Sequence, residues 1–150
     1  LLERIDLLFV NDGEARLLAG AHNLVRAAAA IQKLGPKRVV VKRGDAGVML
    51  ADGDEVFVLP SLPVPEVRDP TGAGDSFAGG FLGELARSGD LGHESMRRAA
   101  ISGSVLGSFA IEGFSVSRLR SLVMADVRDR ESALYRAAAL PPIRAGVPAS

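Results

Sequence analysis

Asp69-Pro70-Thr71-Gly72-Ala73-Gly74-Asp75-Ser76-Phe77-Ala78-Gly79-Gly80-Phe81 is the stretch on which the reading of this chain turns. Its first half has neither strand nor helix periodicity. From Phe77 onward, Phe77, Phe81 and Leu85 recur one turn apart with Ala78, Leu82 and Ala86 beside them. A glycine-rich loop is therefore predicted to run into an amphipathic helix that ends near Ser88-Gly89. The start of such a helix exposes backbone N–H groups without intrahelical partners, and the positive end of its dipole adds to them. That junction favours a phosphate or a developing oxyanion. Gly72 and Gly74 allow a ligand to approach the backbone with no side chain between. Asp75, in the first turn, is placed to take a proton from an attacking hydroxyl while the amides stabilise phosphoryl oxygens. A first-turn aspartate also serves simply as a cap or a counter to the dipole.

Upstream, Ile5 to Val10 is an apolar run of strand length, closed by Asn11-Asp12-Gly13, after which Glu14, Leu17 and Leu18 suggest a short helix. Asn23 opens a second helix through Leu24, Ala27, Ala28, Ile31 and Leu34, and Gly35-Pro36 stops it. Val39-Val40-Val41 then marks a buried strand, Val48-Met49-Leu50 and Val56-Phe57-Val58-Leu59 two more, with Asp52-Gly53 as a hairpin turn. Pro60, Pro63 and Pro65 punctuate an extended connection. Downstream, one helix is expected from about His93 to Ala110 and another from Ser117 toward Ala139, stopped by Pro141-Pro142. Strands alternating with helices make an α/β layer architecture, and a mainly parallel sheet covered by helices is the expectation.

Composition narrows the partners. Lys+Arg and Asp+Glu both number 18, so no net charge draws the whole molecule to nucleic acid or to an anionic membrane. Cysteine is absent, which excludes a disulfide framework, a thiolate zinc site and a cysteine nucleophile, and fits a reducing, cytoplasmic setting. The longest uncharged stretch, Ala99 to Ile111, is too short and too interrupted by serine and glycine to span a bilayer. The chain opens at Leu1 directly on an apolar run, which has the look of a domain cut in the middle.

The segment 69–81 resembles the C-terminal signature of the ribokinase-like, PfkB-type carbohydrate and nucleoside kinases. The resemblance implies the C-terminal half of a three-layer α/β/α fold over residues 1–140, holding the ATP-binding and catalytic parts, with 141–150 as a tail. It implies Asp75 as the base that activates an acceptor hydroxyl, and Gly72, Ala73 and Gly74 as the anion hole. Asp69 corresponds to the family's aspartate beside a monovalent cation such as K+, although Pro70 stands where threonine is frequent. Asn11-Asp12-Gly13-Glu14 is similar to the family's Asn-x-x-Glu motif, whose glutamate helps to hold Mg2+ near the triphosphate, an ion that prefers oxygen ligands and keeps part of its water. Val39 to Val48 resembles the strand and Gly-x-x-Gly turn bordering ATP, which points to Lys42, Gly44 and Gly47. Ser102 and Gly103 fall where relatives line the adenine pocket. The implied partner is a small sugar or nucleoside, with a homodimer in the full-length protein.

Each assignment has a plainer counterpart. Glu14 caps a helix, Gly44 and Gly47 form turns, and Ser102 and Gly103 let helices pack closely. Gly74-Asp75-Ser76 with His93 superficially resembles a Gly-Asp-Ser hydrolase, and Gly72 with Gly74 a dinucleotide loop. The first lacks an element that returns His93 to the serine, and the second lacks the strand ending in a ribose-binding acid. A further alternative is a nucleotide-binding half without independent activity. Family members are about twice this length, and the first strand would then present an unpaired edge.

Overall fold

The computed structural model describes residues 2–139, so the expected tail at 141–150 lies outside the described residues. Four strands, β1 (Leu7–Asn11), β2 (Arg38–Lys42), β3 (Val48–Asp52) and β4 (Glu55–Leu59), form one sheet in the order β1-β2-β3-β4. Helices α1 (Asp12–Ala19) and α2 (Leu24–Gln32) connect β1 to β2. Helices α3 (Ala73–Ser88), α4 (His93–Ala110), α5 (Ser117–Arg120) and α6 (Met124–Ala138) follow β4.

The pleat sorts the apolar residues into two layers. Val39, Val41, Met49 and Ala51 face α1 and α2, where they pack with Val10, Ala28 and Ile31. Val40, Val48 and Leu50 face α3 and α4, where they join Phe77, Phe81, Met96, Val105 and Phe109. Phe9 of β1 meets the α3 aromatics edge-on, with ring centroids 6.2 Å from Phe77 and 5.2 Å from Phe81. Helices α3 and α4 approach closely because Gly80 and Gly103 carry no side chains. A Cβ on Gly80 would stand 2.8 Å from the Ser102 carbonyl, and one on Gly103 2.7 Å from the Phe77 carbonyl.

The sheet corrects the expectation of mainly parallel strands. Only β1 and β2 run parallel, while β2–β3 and β3–β4 are antiparallel. The reason lies in the connections: a parallel neighbour needs a crossover, which α1 and α2 supply once. The chain reverses after Lys42 through residues 43–47 and after Asp52 through Gly53-Asp54, and turns that short allow only antiparallel return. The three-layer α/β/α arrangement itself is present. The expected single helix after Ser117 is split, because residues 121–123 leave helical geometry and Asp126 accepts a hydrogen bond from the Val123 N–H at 3.3 Å. Among the described residues no helix is long and apolar enough to cross a membrane.

Candidate active site

The C-terminal ends of β1 and β2 and the N-terminus of α3 meet at one edge of the sheet. Asn11 and Lys42 are register partners at the strand ends. From Lys42 the side chain reaches α3, and its Nζ lies 2.8 Å from where a Cβ on Gly74 would be. The missing side chain at residue 74 thus makes room for an ammonium group. Gly72 precedes the helix with φ +80°, a left-handed conformation that turns the loop into α3. The loop braces itself: Asp69 Oδ1 accepts the Thr71 N–H at 2.9 Å, and Pro70 O accepts the Ala73 N–H at 3.2 Å. The Thr71 N–H, and then its hydroxyl, hold the Asp69 carboxyl below the usual carboxylate range.

Asp75 is exposed in the first turn of α3, and among the described residues it forms neither an ion pair nor a side-chain hydrogen bond. The same holds for the Lys42 ammonium. A cation beside the positive end of a 16-residue helix, with no carboxylate to answer it, is an arrangement that an anion would stabilise. Ser76 Oγ donates to Gly72 O at 2.9 Å, and His93 lies at the far end of α3, which at 1.5 Å per residue is about 24 Å long. No nucleophile–base pair of the hydrolase kind exists there.

The remaining candidates divide. Asn11 and Glu14 form a reciprocal cap on α1: Asn11 Oδ1 accepts the Glu14 N–H and Glu14 Oε2 accepts the Asn11 N–H, both at 2.7 Å. Glu14 Oε1 stays available at the end of β1. Gly44 and Gly47 lie in the turn directly after Lys42. A Cβ at Gly44 would meet open space, whereas one at Gly47 would strike the Leu59 carbonyl at 2.1 Å, so Gly47 answers to packing. Gly103 is buried against Phe77 and Ser102 is half-buried beside Gly80, both inside the α3–α4 contact. Sequence reasoning missed the role of the Ile111 carbonyl, which accepts from the Arg68 N–H at 2.8 Å and the Asp69 N–H at 3.3 Å and so ties the loop to the end of α4. A main-chain acceptor leaves no mark in residue type.

The profile described as pfkB family carbohydrate kinase matches residues 1–119, and every residue of this corner falls within it. The chain belongs to the pfkB family. This pfkB chain is 40% identical over 89 residues to a cytidine kinase of Thermococcus kodakarensis, covering 58% of this chain and 32% of that one. It is 33% identical over 111 residues to a ribokinase of Arabidopsis thaliana, covering 70% and 29%. Among solved structures, aminoimidazole riboside kinase from Salmonella enterica, complexed with aminoimidazole riboside and an ATP analog, superposes with a TM-score of 0.73 at 25% identity, covering 85% of this chain and 42% of that one. The pfkB chain thus spans about a third of the length of the curated relatives it matches.

Proposed function

We propose that residues 1–140 are the C-terminal, ATP-binding and catalytic half of a kinase that transfers the γ-phosphoryl group of ATP to a hydroxyl of a sugar or nucleoside. The observation that carries this is the pair of unanswered charges at one corner, the Lys42 ammonium against Gly74 and the Asp75 carboxylate one residue on. Relatives named cytidine kinase, ribokinase and aminoimidazole riboside kinase support the acceptor class.

In the proposed reaction Asp75 takes the proton of the acceptor hydroxyl, whose oxygen bonds to the γ-phosphorus as the bond to the β–γ bridging oxygen breaks. A phosphate ester and ADP result. Charge spread over the phosphoryl oxygens meets the backbone N–H groups of Gly72 and Gly74 and the Lys42 ammonium, donors held in place before the reaction begins, while the Ala73 N–H is spent on the Pro70 carbonyl. Gly44, open on its outer side, and Gly47 shape the turn beside the nucleotide, with Ser102 and Gly103 further along α4. The donor set near β1 fits a magnesium ion held mostly by nucleotide phosphates and water: Glu14 offers one free oxygen, and among the described residues no group of three or more acid, His or Cys side chains assembles into a cage. Such an ion would neutralise the triphosphate. Asp69 spends one oxygen on its own loop, and no step is assigned to a monovalent cation there.

A second reading, a half without activity of its own, is favoured by a specific feature. Strand β1 is a sheet edge that is apolar on both sides, Leu7 and Phe9 toward one layer and Leu8 and Val10 toward the other. That is the pattern of an interior strand. Leu17 of α1 (85% exposed) and Leu82 of α3 (50%) are left uncovered in the helices on either face. Incubating the protein with Mg-ATP and a panel of sugars and nucleosides tests the kinase. Transfer of label from γ-labelled ATP to an acceptor is the expected result, ATP binding without transfer to any acceptor would favour the inactive half, and absence of ATP binding would remove both.

A further inference from the structure

Helix α6 begins beyond residue 119, where the family match stops, yet it is pinned to the end of α4 by a dense set of contacts. Leu134 is buried in the α3–α4 core. The Arg130 guanidinium lies 3.7 Å from the Phe109 ring centroid, its Nη2 forms an ion pair with Glu112 Oε1 at 2.8 Å, and its Nη1 donates to Ser108 Oγ at 3.4 Å. Arg118 covers Phe109 at 5.0 Å, with Glu112 Oε2 3.7 Å away. Both Arg130 and Glu112 are largely withdrawn from solvent, with side chains 18% and 21% exposed, so the pair is less screened than a surface contact. Between Phe109 and Glu112 lies Ile111, the residue whose carbonyl holds the Arg68 and Asp69 amides. Three residues after Asp69 begins the stretch Gly72–Gly74.

We propose that Arg130 is a positioning residue: by clamping Phe109 and Glu112 it fixes the Ile111 carbonyl, which in turn sets the loop whose amides and Asp75 face the phosphates. The phosphate-facing part of this rests on the kinase reading above, while the clamp itself does not. A chain of packed and hydrogen-bonded groups with one well-defined arrangement transmits position in this way. The guanidinium is suited to the task because a planar, permanently charged group can lie over an aromatic ring and pair with a carboxylate at the same time.

Two measurements on the full chain test the clamp, using Arg130→Met, Arg130→Lys, the milder Glu112→Gln in case Arg130→Met fails to fold, and Arg128→Met as a control at an exposed α6 position. The first is amide hydrogen exchange. The Arg68 and Asp69 amides are expected to exchange faster in Arg130→Met and Glu112→Gln while the Val40 amide in β2 keeps its protection, with partial recovery in Arg130→Lys and no change in Arg128→Met. The second compares Mg-ATP with AMP, which lacks the phosphates proposed to reach the loop. Arg130→Met is expected to weaken ATP about tenfold while AMP stays within about twofold. Unchanged exchange at Arg68 and Asp69, or acceleration shared equally by Val40, overturns the clamp. Equal loss of ATP and AMP overturns its link to the phosphates. If the unaltered protein binds no ATP, the kinase reading falls and the exchange data still decide the clamp.

Discussion

The two ends of the sheet use similar side chains to opposite effect. At the end where β3 stops and α4 begins, Asp52 is buried between Arg38, whose Nε lies 2.9 Å from it, and His93, whose Nδ1 lies 2.9 Å from it. Glu55 pairs with Arg97, and Arg38 also donates to the Leu91 carbonyl. Ion pairs there link Arg38, Asp52, His93, Glu55 and Arg97 into one cluster. At the opposite end Lys42 and Asp75 stand on equally well-built elements and answer no one. The contrast separates two uses of charge: paired charges fasten β2, β3, β4 and α4 together, while the solitary ones are those to which the proposed reaction gives phosphate binding and proton transfer.

The sharpest way to break this contrast is Asp75→Asn. In the full-length enzyme it is expected to lower kcat by about 10²–10⁴-fold while ATP affinity and melting temperature stay near those of the parent, read by single-turnover kinetics and calorimetry. Next is Asp52→Ala at the other end, which strands the largely buried Arg38 and is expected to cost about 3–5 kcal/mol in urea unfolding without changing turnover per folded molecule. A catalytic defect with unaltered stability in Asp52→Ala would reverse the assignment of the two ends.

Glycines separate the same two roles on a smaller scale. In Gly103→Ala the new methyl meets the Phe77 carbonyl and ring, which cannot step aside, so a loss of about 1–3 kcal/mol is expected in denaturant titrations. In Gly74→Ala the methyl meets only the tip of Lys42, a flexible chain that moves at little cost. Stability is expected to hold while ATP affinity drops roughly tenfold as the ammonium leaves its place, a change isothermal titration would show. The smallest effect belongs to acid. The Asp69 carboxyl is held low chiefly by the Thr71 N–H, so its contribution is complete above the ordinary aspartate value of about 4 and is lost only as pH falls through the lower value of the folded loop. The Thr71 amide resonance is expected to titrate below that ordinary midpoint; a shift centred above it would show that the brace does not form in solution.

Much of this was readable from residue order. Three-valine β2, the glycine stop after α2, the Asp52-Gly53 reversal and the Phe77, Phe81, Leu85 stripe all name local structure, and the loop 69–75 carries its expected anion-binding character in Gly72, Gly74 and the two acids Asp69 and Asp75. What escaped depended on groups distant in sequence or identical in every residue. Strand direction followed from turn lengths on both sides of β3 taken together, and outweighed the impression left by alternating elements. His93 lies against Asp52 because α4 starts beside the end of β3, a neighbourhood that no local pattern encodes. The Ile111 tether involves a carbonyl, which every residue possesses. The reach of Lys42 to Gly74 spans the gap between a strand end and a helix start, a distance that only the packed layers define.

Strand β2 is sealed above and below, with Val39, Val40 and Val41 all at zero exposure, and Lys42 is its final residue. The lysine is therefore rooted in a strand buried on both faces, and its head can sweep only the arc permitted by its own side-chain torsions. A cation on a wandering loop would trail after its ligand. This one swings only about an anchored backbone, so in the proposed reaction the phosphates come to it, and their spacing along the nucleotide is gauged from that buried root.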